Sequence, residues 1–505
     1  MAIQITTEQM DRRRTDWRIG PVVYQIFVDR FVPPADPAAA AAHFESPRRL
    51  RPWGAQPARG EWDPEVLNST AELEFWGGNL AGVESKIPHF QTLGVDLVYL
   101  NPIFEAFTNH KYDASDFTRI DPHYGTDEDL ANLTESLHDN GLRIMLDGVF
   151  NHMGRRSPVF QSAFQDTNSP YREWFRFGSQ YRHGYLGWRN VANLPELQIE
   201  NPAVRQFLWE APDSIVRSYL REPGIDGWRL DVAPDLGFQY LGELTRAAHE
   251  ERPDCAVIGE CWNYPESWLE VMDGILNMHA RNIVIHLVNH RMTPRSAGAA
   301  IERMVIDGGI EGILRSHFVL DNHDTPRLSW LVKDTAAQSL ARILQFTLPG
   351  APVIYYGGEV GLDGGHDPLN RGPMRWDLVH DENTVLAQTI ALSQLRRDHP
   401  ALRLGDFRLL EADGLLAFMR YTDNPLETTL VVVNPSKEKV FSLVPIRDSR
   451  LMDSGELRCV LSGEKAEVAC GSLEATVPPQ TAYVYTVPNR ERPTGYDLFK
   501  RVRPR

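Results

Sequence analysis

The stretch GWRLDVAPDL, Gly227 to Leu236, poses the question on which the fold turns. Leu230, Val232 and Ala233 read as buried strand, yet Arg229 and Asp231 stand in the same run, two residues apart. In a strand that spacing sends both side chains to one face. A guanidinium and a carboxylate on one face of an apolar strand have two readings. One is a buried ion pair fastening two elements, which is weak evidence for stability because desolvation offsets the attraction. The other is a pocket in which Asp231 must stay ionised and Arg229 keeps it so. The choice depends on what else the chain brings to the same place.

Working outward, seven similar runs appear. They are VVYQIFVDRF from Val22, LVYLNPIF from Leu97, RIMLDGVFNH from Arg143, AVIGECW from Ala256, DGILNM from Asp273, HFVLDNHD from His317 and APVIYYGGE from Ala351. Amphipathic stretches such as DEDLANLTESLHDNG and NPAVRQFLWEAPDSIVRSYL separate most of them. Eight strands alternating with helices predict an α/β fold, a parallel (β/α)8 TIM barrel. Two connections are long. Met153 to Asn201 follows the third strand and is rich in aromatics from Phe160 to Trp188, so it reads as an inserted lobe. Val32 to Gly78 follows the first strand and carries Pro33, Pro34, Pro37 and an alanine run. Beyond Leu404, strands alternate with turns, as in LLAFMRYTDNPLETTLVVVN, which predicts an all-β C-terminal domain. The expected organisation is an N-terminal arm (1–20), a barrel (21–152 and 200–404), a lobe (153–199), a C-terminal β-sandwich (405–488) and a basic exposed tail (489–505).

The chain has 505 residues, 42% of them hydrophobic, which suffices for a large core with satellite domains. A net charge of −16 argues against nucleic acid and anionic membrane as partners. No eighteen apolar residues run together, so no membrane span is expected, and MAIQITTEQMDRRRTDW lacks the apolar run of a signal peptide. Cys255, Cys261, Cys459 and Cys470 form no CxxC pair, so zinc is not expected. A reduced, cytoplasmic protein is the simplest expectation.

Parallel barrels carry their active sites at the C-terminal ends of the strands. There the third strand ends in Asp147, Asn151 and His152, and the fourth holds Arg229 and Asp231. The fifth ends in Glu260, the seventh in Asp321, Asn322, His323 and Asp324. A lone strand-end aspartate often only caps the next helix; so many polar groups on one rim point to a site. Carboxylate clusters serve a divalent metal, which needs several oxygens around one centre, or glycoside cleavage, which needs an ionised nucleophile and a protonated acid. Arg229 favours the second, since a neighbouring cation holds Asp231 anionic. Glu260, between an apolar strand and Trp262, has a setting that suits a carboxyl holding a proton. Aromatic surroundings suit sugars, whose CH faces stack on rings. Cys261 alternates with Glu260 and reads as a small residue pointing away from the pocket.

On the motifs DGVFNH (from Asp147), GWRLDVA, GECW and LDNHD (from Leu320), the chain resembles the α-amylase family of retaining α-glucan enzymes from about Val22 onward. The resemblance implies Asp231 as nucleophile, Glu260 as general acid/base and Asp324 as transition-state stabiliser. It implies further that Arg229 orients the nucleophile, that Asp147, His152 and His323 belong to the sugar-binding set, and that Tyr112, in HKYD, stacks under the sugar. LPELQ from Leu194, Trp262, and GGHDPLNRGPMRW from Gly364 resemble the cyclomaltodextrinase, neopullulanase and maltogenic amylase group. Asp367 and Arg371 resemble that group's residues binding a glucose deeper on the non-reducing side. What this implies is hydrolysis of short or cyclic α-1,4-linked malto-oligosaccharides, cyclodextrin among them, by a monomer or homodimer without a cofactor. A transglycosylase or glucoside isomerase would share the intermediate; non-catalytic relatives lack the carboxylates and carry a membrane span.

The chain departs from the group in three places. The barrel starts almost at once, where the group has an N-terminal β-domain. Ala233-Pro234-Asp235 replaces Ala-Asn-Glu, which alters the acceptor side. VPPADPAAAAAHF and GGN from Gly77 replace the Asn/Asp-rich calcium loop and its Gly-Gly-Asp, so calcium is not expected there. Asn151 would join a calcium site of the general amylase type, but no convincing partner set accompanies it.

Overall fold

All eight expected strands form and close a parallel barrel: β1 (Val23–Ile26), β2 (Leu97–Leu100), β3 (Arg143–Gly148), β4 (Gly227–Leu230), β5 (Ala256–Cys261), β6 (Gly274–Asn277), β7 (His317–Val319) and β8 (Ala351–Tyr355). The computed structural model describes residues 5–453, 455–488, 498, 499, 501 and 502. Period-two alternation sorts each strand's side chains. One parity, including Tyr24, Ile26, Val98, Leu146, Trp228 and Ile275, packs outward against the surrounding helices. The other, including Val23, Leu97, Tyr99, Met145, Ile258 and Val353, fills the barrel as a separate apolar cluster. The same inward parity, followed to the C-terminal ends, turns polar at Gln25, Asn101, Asp147, Arg229, Asp231 and Glu260, all buried. The apolar lower layers thus form a floor, and the polar upper layer is the site.

The helix expected after β2 spans Asp127–Asp139, with Leu130, Leu133 and Leu137 on its buried face. Its N-terminus is closed by a capping box between Thr126 and Asp129. NPAVRQFLWEAPDSIVRSYL is not one helix: a turn at Pro202–Arg205 runs into a π-helical turn at Gln206–Glu210, and a second helix covers Ile215–Arg221. Pro212 lies in the break, where its ring and missing N–H forbid continuation. The lobe carries one helix, Pro158–Gln165, over a ring cluster in which Phe160 meets Tyr185 at 4.8 Å and Phe175 at 5.0 Å. The long first connection folds back in two small strand pairs, Arg49–Leu50 with Glu74–Phe75 and Trp62–Asp63 with Asn68–Ser69.

The C-terminal region forms one hydrogen-bonded antiparallel sheet: β9 (Asp406–Leu410), β10 (Leu416–Tyr421), β11 (Thr429–Asn434), β12 (Val440–Pro445), β13 (Gly455–Cys459), β14 (Lys465–Ala469), β15 (Ser472–Val477) and β16 (Thr481–Thr486). Their order is β9-β10-β11-β16-β13-β14-β15-β12. β10 and β11 are buried at every position. Leu416, Phe418, Val431 and Val433 face the barrel's cluster, while Ala417, Met419, Leu430 and Val432 face the sheet's own. The N-terminal arm is a helix, Thr7–Thr15, whose Met10 is buried in that second cluster. Of the expected exposed tail, 489–497, 500 and 503–505 lie outside the described residues, whereas Leu498, Phe499 and Val502 pack on the sheet's cluster. No described helix is long and apolar enough to cross a membrane.

Candidate active site

Arg229 is fully buried and holds three carboxylates. Its Nη1 donates to Asp147 Oδ1 at 2.7 Å and to Asp231 Oδ1 at 3.0 Å, and its Nη2 lies 3.0 Å from Glu260 Oε2. The three acids come from the ends of β3, β4 and β5, adjacent in the barrel. Three carboxyl groups share this one cation: Arg229 pulls Asp231 toward its charged form, in the expected direction, but is not its partner alone. Burial above all, opposed by Arg229 and reinforced by Glu260, Asp147 and Asp324, pushes the Asp231 carboxyl well above the usual range. Burial likewise raises Asp147 against the pull of Arg229 and of hydrogen bonds from Tyr99 and Tyr112. Carboxylates this close titrate as a set rather than one by one.

Glu260 is fixed at both oxygens. The Val232 N–H donates to Oε2 at 3.1 Å and the Trp262 indole N–H to Oε1 at 3.0 Å. Val232, directly after Asp231, sits at φ 41°, ψ 44°, a left-handed conformation rare for a β-branched residue. That turn ends β4, aims the N–H at Glu260 and starts the helix Ala233–Glu251. Trp262 is 54% exposed although bonded to a buried acid.

His323 is held from below. Gln25 Nε2 and Asn101 Nδ2 lie 2.9 and 3.2 Å from its Nδ1. Two amide donors make Nδ1 the acceptor and place the proton on Nε2, which is 2.6 Å from the Tyr112 hydroxyl and 3.1 Å from Asp324 Oδ2. Tyr112 stacks on His323 with ring centroids 5.3 Å apart and donates to Asp147 Oδ2 at 2.8 Å; Tyr99 donates to the same oxygen at 2.6 Å. Burial pushes His323 well below the imidazole range, and His152 down to about 4, so both are neutral at neutral pH. His152 Nε2 is buried without a hydrogen-bond partner. Arg371 reaches Asp324 Oδ1 at 3.3 Å and Asp367 Oδ1 at 3.2 Å.

A cleft of about 750 Å3 opens above these groups. Asp231, Glu260, Asp324, Tyr112, His152, Trp262, Asp367 and Arg371 line it, while Asp147, Arg229 and His323 lie just beneath, in contact with its walls. Every residue given a role from the family resemblance is therefore gathered at one rim, whereas Asp321, counted with them at the end of β7, turns away and accepts the Leu328 N–H at 2.7 Å. Sequence reading missed Gln25, Tyr99 and Asn101, although their inward parity on β1 and β2 signals them. It also missed Glu72 and Trp188, which reach the cleft from the two long connections, where no periodicity gives direction.

The calcium question turns on donors. Asp29, beside the first loop, accepts the Trp76 and Gly77 N–H groups and pairs with Arg30 at 2.7 Å. Its oxygens are taken by the chain itself. Among the described residues no three His, Cys, Asp or Glu stand as a metal-holding group.

A model of the alpha amylase catalytic domain matches residues 25–403. The chain is 35% identical over 435 residues to a cyclomaltodextrinase from a Bacillus species, covering 83% of this chain and 74% of that protein. It is 33% identical over 394 residues to an intracellular maltogenic amylase from Bacillus subtilis, covering 77% and 63%. Among solved structures, the cyclic alpha-maltosyl-(1→6)-maltose hydrolase from Arthrobacter globiformis, in complex with cyclic alpha-maltosyl-(1→6)-maltose, superposes with a TM-score of 0.77 at 28% identity, covering 93% of this chain and 99% of that one.

Proposed function

The chain belongs to the alpha-amylase family of glycoside hydrolases, and on that premise we propose that it is a retaining hydrolase of short or cyclic α-1,4-linked malto-oligosaccharides. The observation that carries the reading is one guanidinium, Arg229, gripping both Asp231 and Glu260. Two carboxyls flanking one bond, one as nucleophile and one as acid, are what covalent glycosidases use. Glu260 gives its proton to the glycosidic oxygen while Asp231 attacks the anomeric carbon; the C–O bond breaks and the leaving sugar departs with the proton. Glu260 then takes a proton from water, whose oxygen displaces Asp231. Asp324, His323 and the open Nε2 of His152 hold hydroxyls of the reacting sugar, and Asp367 and Arg371 hold the next unit. The proposed route uses side chains alone, without a metal ion. A sugar hydroxyl in place of water makes the same enzyme a transglycosylase, the second reading. Small substrates are favoured by the names of the relatives above, and the intracellular relative favours a cytoplasmic setting.

The test has two arms. A Glu260→Gln protein exposed to a fluorinated glycosyl fluoride is expected to accumulate a covalent adduct mapping to Asp231 by peptide mass spectrometry; an adduct elsewhere rejects the assignment. Wild type is expected to cleave maltotriose, a cyclodextrin or cyclic maltosyl-maltose with a higher specificity constant than polymeric starch. The reverse order rejects the substrate class.

A further inference from the structure

The loop that carries Tyr112 is held by a buried lysine. Residues 107–113 form the tip of a hairpin whose strands are Phe104–Ala106 and Ala114–Ile120. Lys111, immediately before Tyr112, is fully buried and takes φ 64°, a left-handed conformation that glycine adopts freely and lysine rarely does. Its Nζ folds back to the base of the hairpin, 2.6 Å from Asp121 Oδ2, and donates to Thr108 O at 3.3 Å. The buried rings of Phe75 and Tyr124 stand 5.2 and 5.0 Å from the ammonium. Asp121 is itself fixed: its Oδ2 also accepts the Ala106 N–H at 3.1 Å, and His123 Nδ1 lies 2.5 Å from its Oδ1. Burial raises the Asp121 carboxyl, but Lys111 and His123 outweigh that and hold it well below the usual range. On the other side of Tyr112, Asp113 Oδ2 accepts Asn193 Nδ2 of the lobe at 2.9 Å.

We propose that Lys111 is a positioning residue for Tyr112, tying the hairpin tip to Asp121 so that the Tyr112 hydroxyl is aimed between Asp147 and His323; this rests on the hydrolase reading above. The bonding of that hydroxyl is complete. It donates to Asp147 Oδ2 at 2.8 Å and accepts from His323 Nε2 at 2.6 Å and Asn101 Nδ2 at 2.9 Å, while the ring stacks on His323. A shift of the tyrosine therefore moves His323, which holds a hydroxyl of the reacting sugar, and loosens Asp147 beside Arg229. A turn alone would be met by glycine, and a buried pair serves stability weakly, because desolvation offsets the attraction. Lys111 combines an unfavourable φ with a buried charge at the residue before Tyr112, and such a combination persists where the surroundings impose it for position.

The experiment compares Lys111→Gly and Lys111→Met on maltotriose and α-maltosyl fluoride. Glycine takes this φ without strain and lacks the ammonium; methionine keeps an apolar stem and lacks it too. In both, Asp121 retains its Ala106 and His123 partners, so the carboxylate is not left bare. Each variant is expected to lower kcat/KM by about tenfold to a hundredfold, the scale of a displacement of about 1 Å at a reacting centre. The two substrates share the reacting sugar and differ in leaving group, so the ratio of their specificity constants should stay within about threefold of wild type. In a Tyr112→Phe background the same substitutions should lower kcat/KM by less than about threefold, because the hydroxyl they aim is gone. A residue serving only the fold would lower the melting temperature and multiply the Tyr112→Phe loss by its full single-variant factor. That outcome would overturn the proposal, as would Lys111→Gly at wild-type kcat/KM, a loss confined to maltotriose, or failure of both variants to fold; if Lys111→Met alone fails to fold, Lys111→Gly decides. Wild type inert on both substrates would reject the hydrolase reading itself, whereas an active wild type with multiplying losses rejects this inference alone.

Discussion

Arg229 spreads one positive charge over Asp147, Asp231 and Glu260, and the chemistry of the site follows from that shortage. Each carboxylate withdrawn from water favours its neutral form, and neighbouring anions add to the effect. The Asp231 carboxyl is raised by burial and by its neighbours, so its ionised form is lost at a higher pH than an ordinary aspartate loses it. The sign is fixed: the nucleophile must be ionised, and activity falls as pH drops through the raised value. The acid limb of kcat/KM for maltotriose should therefore lie clearly above ~4, where a free aspartate titrates. Asp147→Asn removes one neighbouring charge and should move that limb to lower pH while lowering the rate; a wild-type limb at or below 4 would contradict the cluster. Asp231→Asn keeps the shape and removes the nucleophile, so kcat should fall by three or more orders of magnitude. A tenth of wild-type activity in protein free of wild type would end the assignment. The sequence carried the identities of these residues in Arg229, Asp231, Glu260 and Asp324. It did not carry the upward shift of Asp147 and Asp231, because that depends on burial and on how many carboxyls share one cation, which needs three dimensions.

The eight barrel strands were legible at the level of elements because each is a short apolar run whose inward parity turns polar at its end. The helix Asp127–Asp139 was legible from leucine spacing; the break at Pro212 was readable from the proline and was passed over. The left-handed Val232 was not legible, since nothing in propensity asks a β-branched residue to take φ 41°. Such strain costs on the order of 1–3 kcal/mol and persists where the surroundings impose it. Here the return is an N–H aimed at Glu260. Val232→Gly adopts this conformation freely but gives a more flexible unfolded chain, effects of opposite sign. The melting temperature is therefore expected to shift little, while kcat/KM falls several-fold because the N–H is less firmly aimed. A lowered melting temperature with unchanged kcat/KM would show that the turn serves the fold and not the acid.

For the whole molecule, the join between barrel and C-terminal sheet rests on buried arginines whose partners are chiefly backbone carbonyls. Arg420, on β10, is fully buried and donates to Thr347 O at 2.8 Å, Gly405 O at 2.9 Å and Asp406 O at 3.3 Å. Arg396 donates to the carbonyls of Gly20, Phe346, Gly350 and Leu402. Arg13 of the N-terminal helix bonds Leu404 O and pairs with Glu311 and Asp406. These contacts tie the N-terminal arm, the last barrel helices and the sheet at one place. None of this was legible, since arginine reads as surface by composition; only the fold brings unpaired carbonyls from four segments together. Arginine suits the position because its planar fork offers five donors, whereas lysine offers three from a single point. Arg420→Met matches the apolar stem and removes the donors, leaving three inward carbonyls short of a partner. Each buried group left unsatisfied costs about 1–3 kcal/mol. The loss should appear as a melting temperature lower by several degrees, with the sheet unfolding ahead of the barrel as a separate calorimetric transition. Arg420 lies on the far side of the barrel floor from the cleft, so kcat on maltotriose well below the new transition should stay within about twofold of wild type. A single unshifted transition would mean that the sheet is held by its apolar faces, Leu416, Phe418, Val431 and Val433 against the barrel, and that the arginine fork adds nothing to the join.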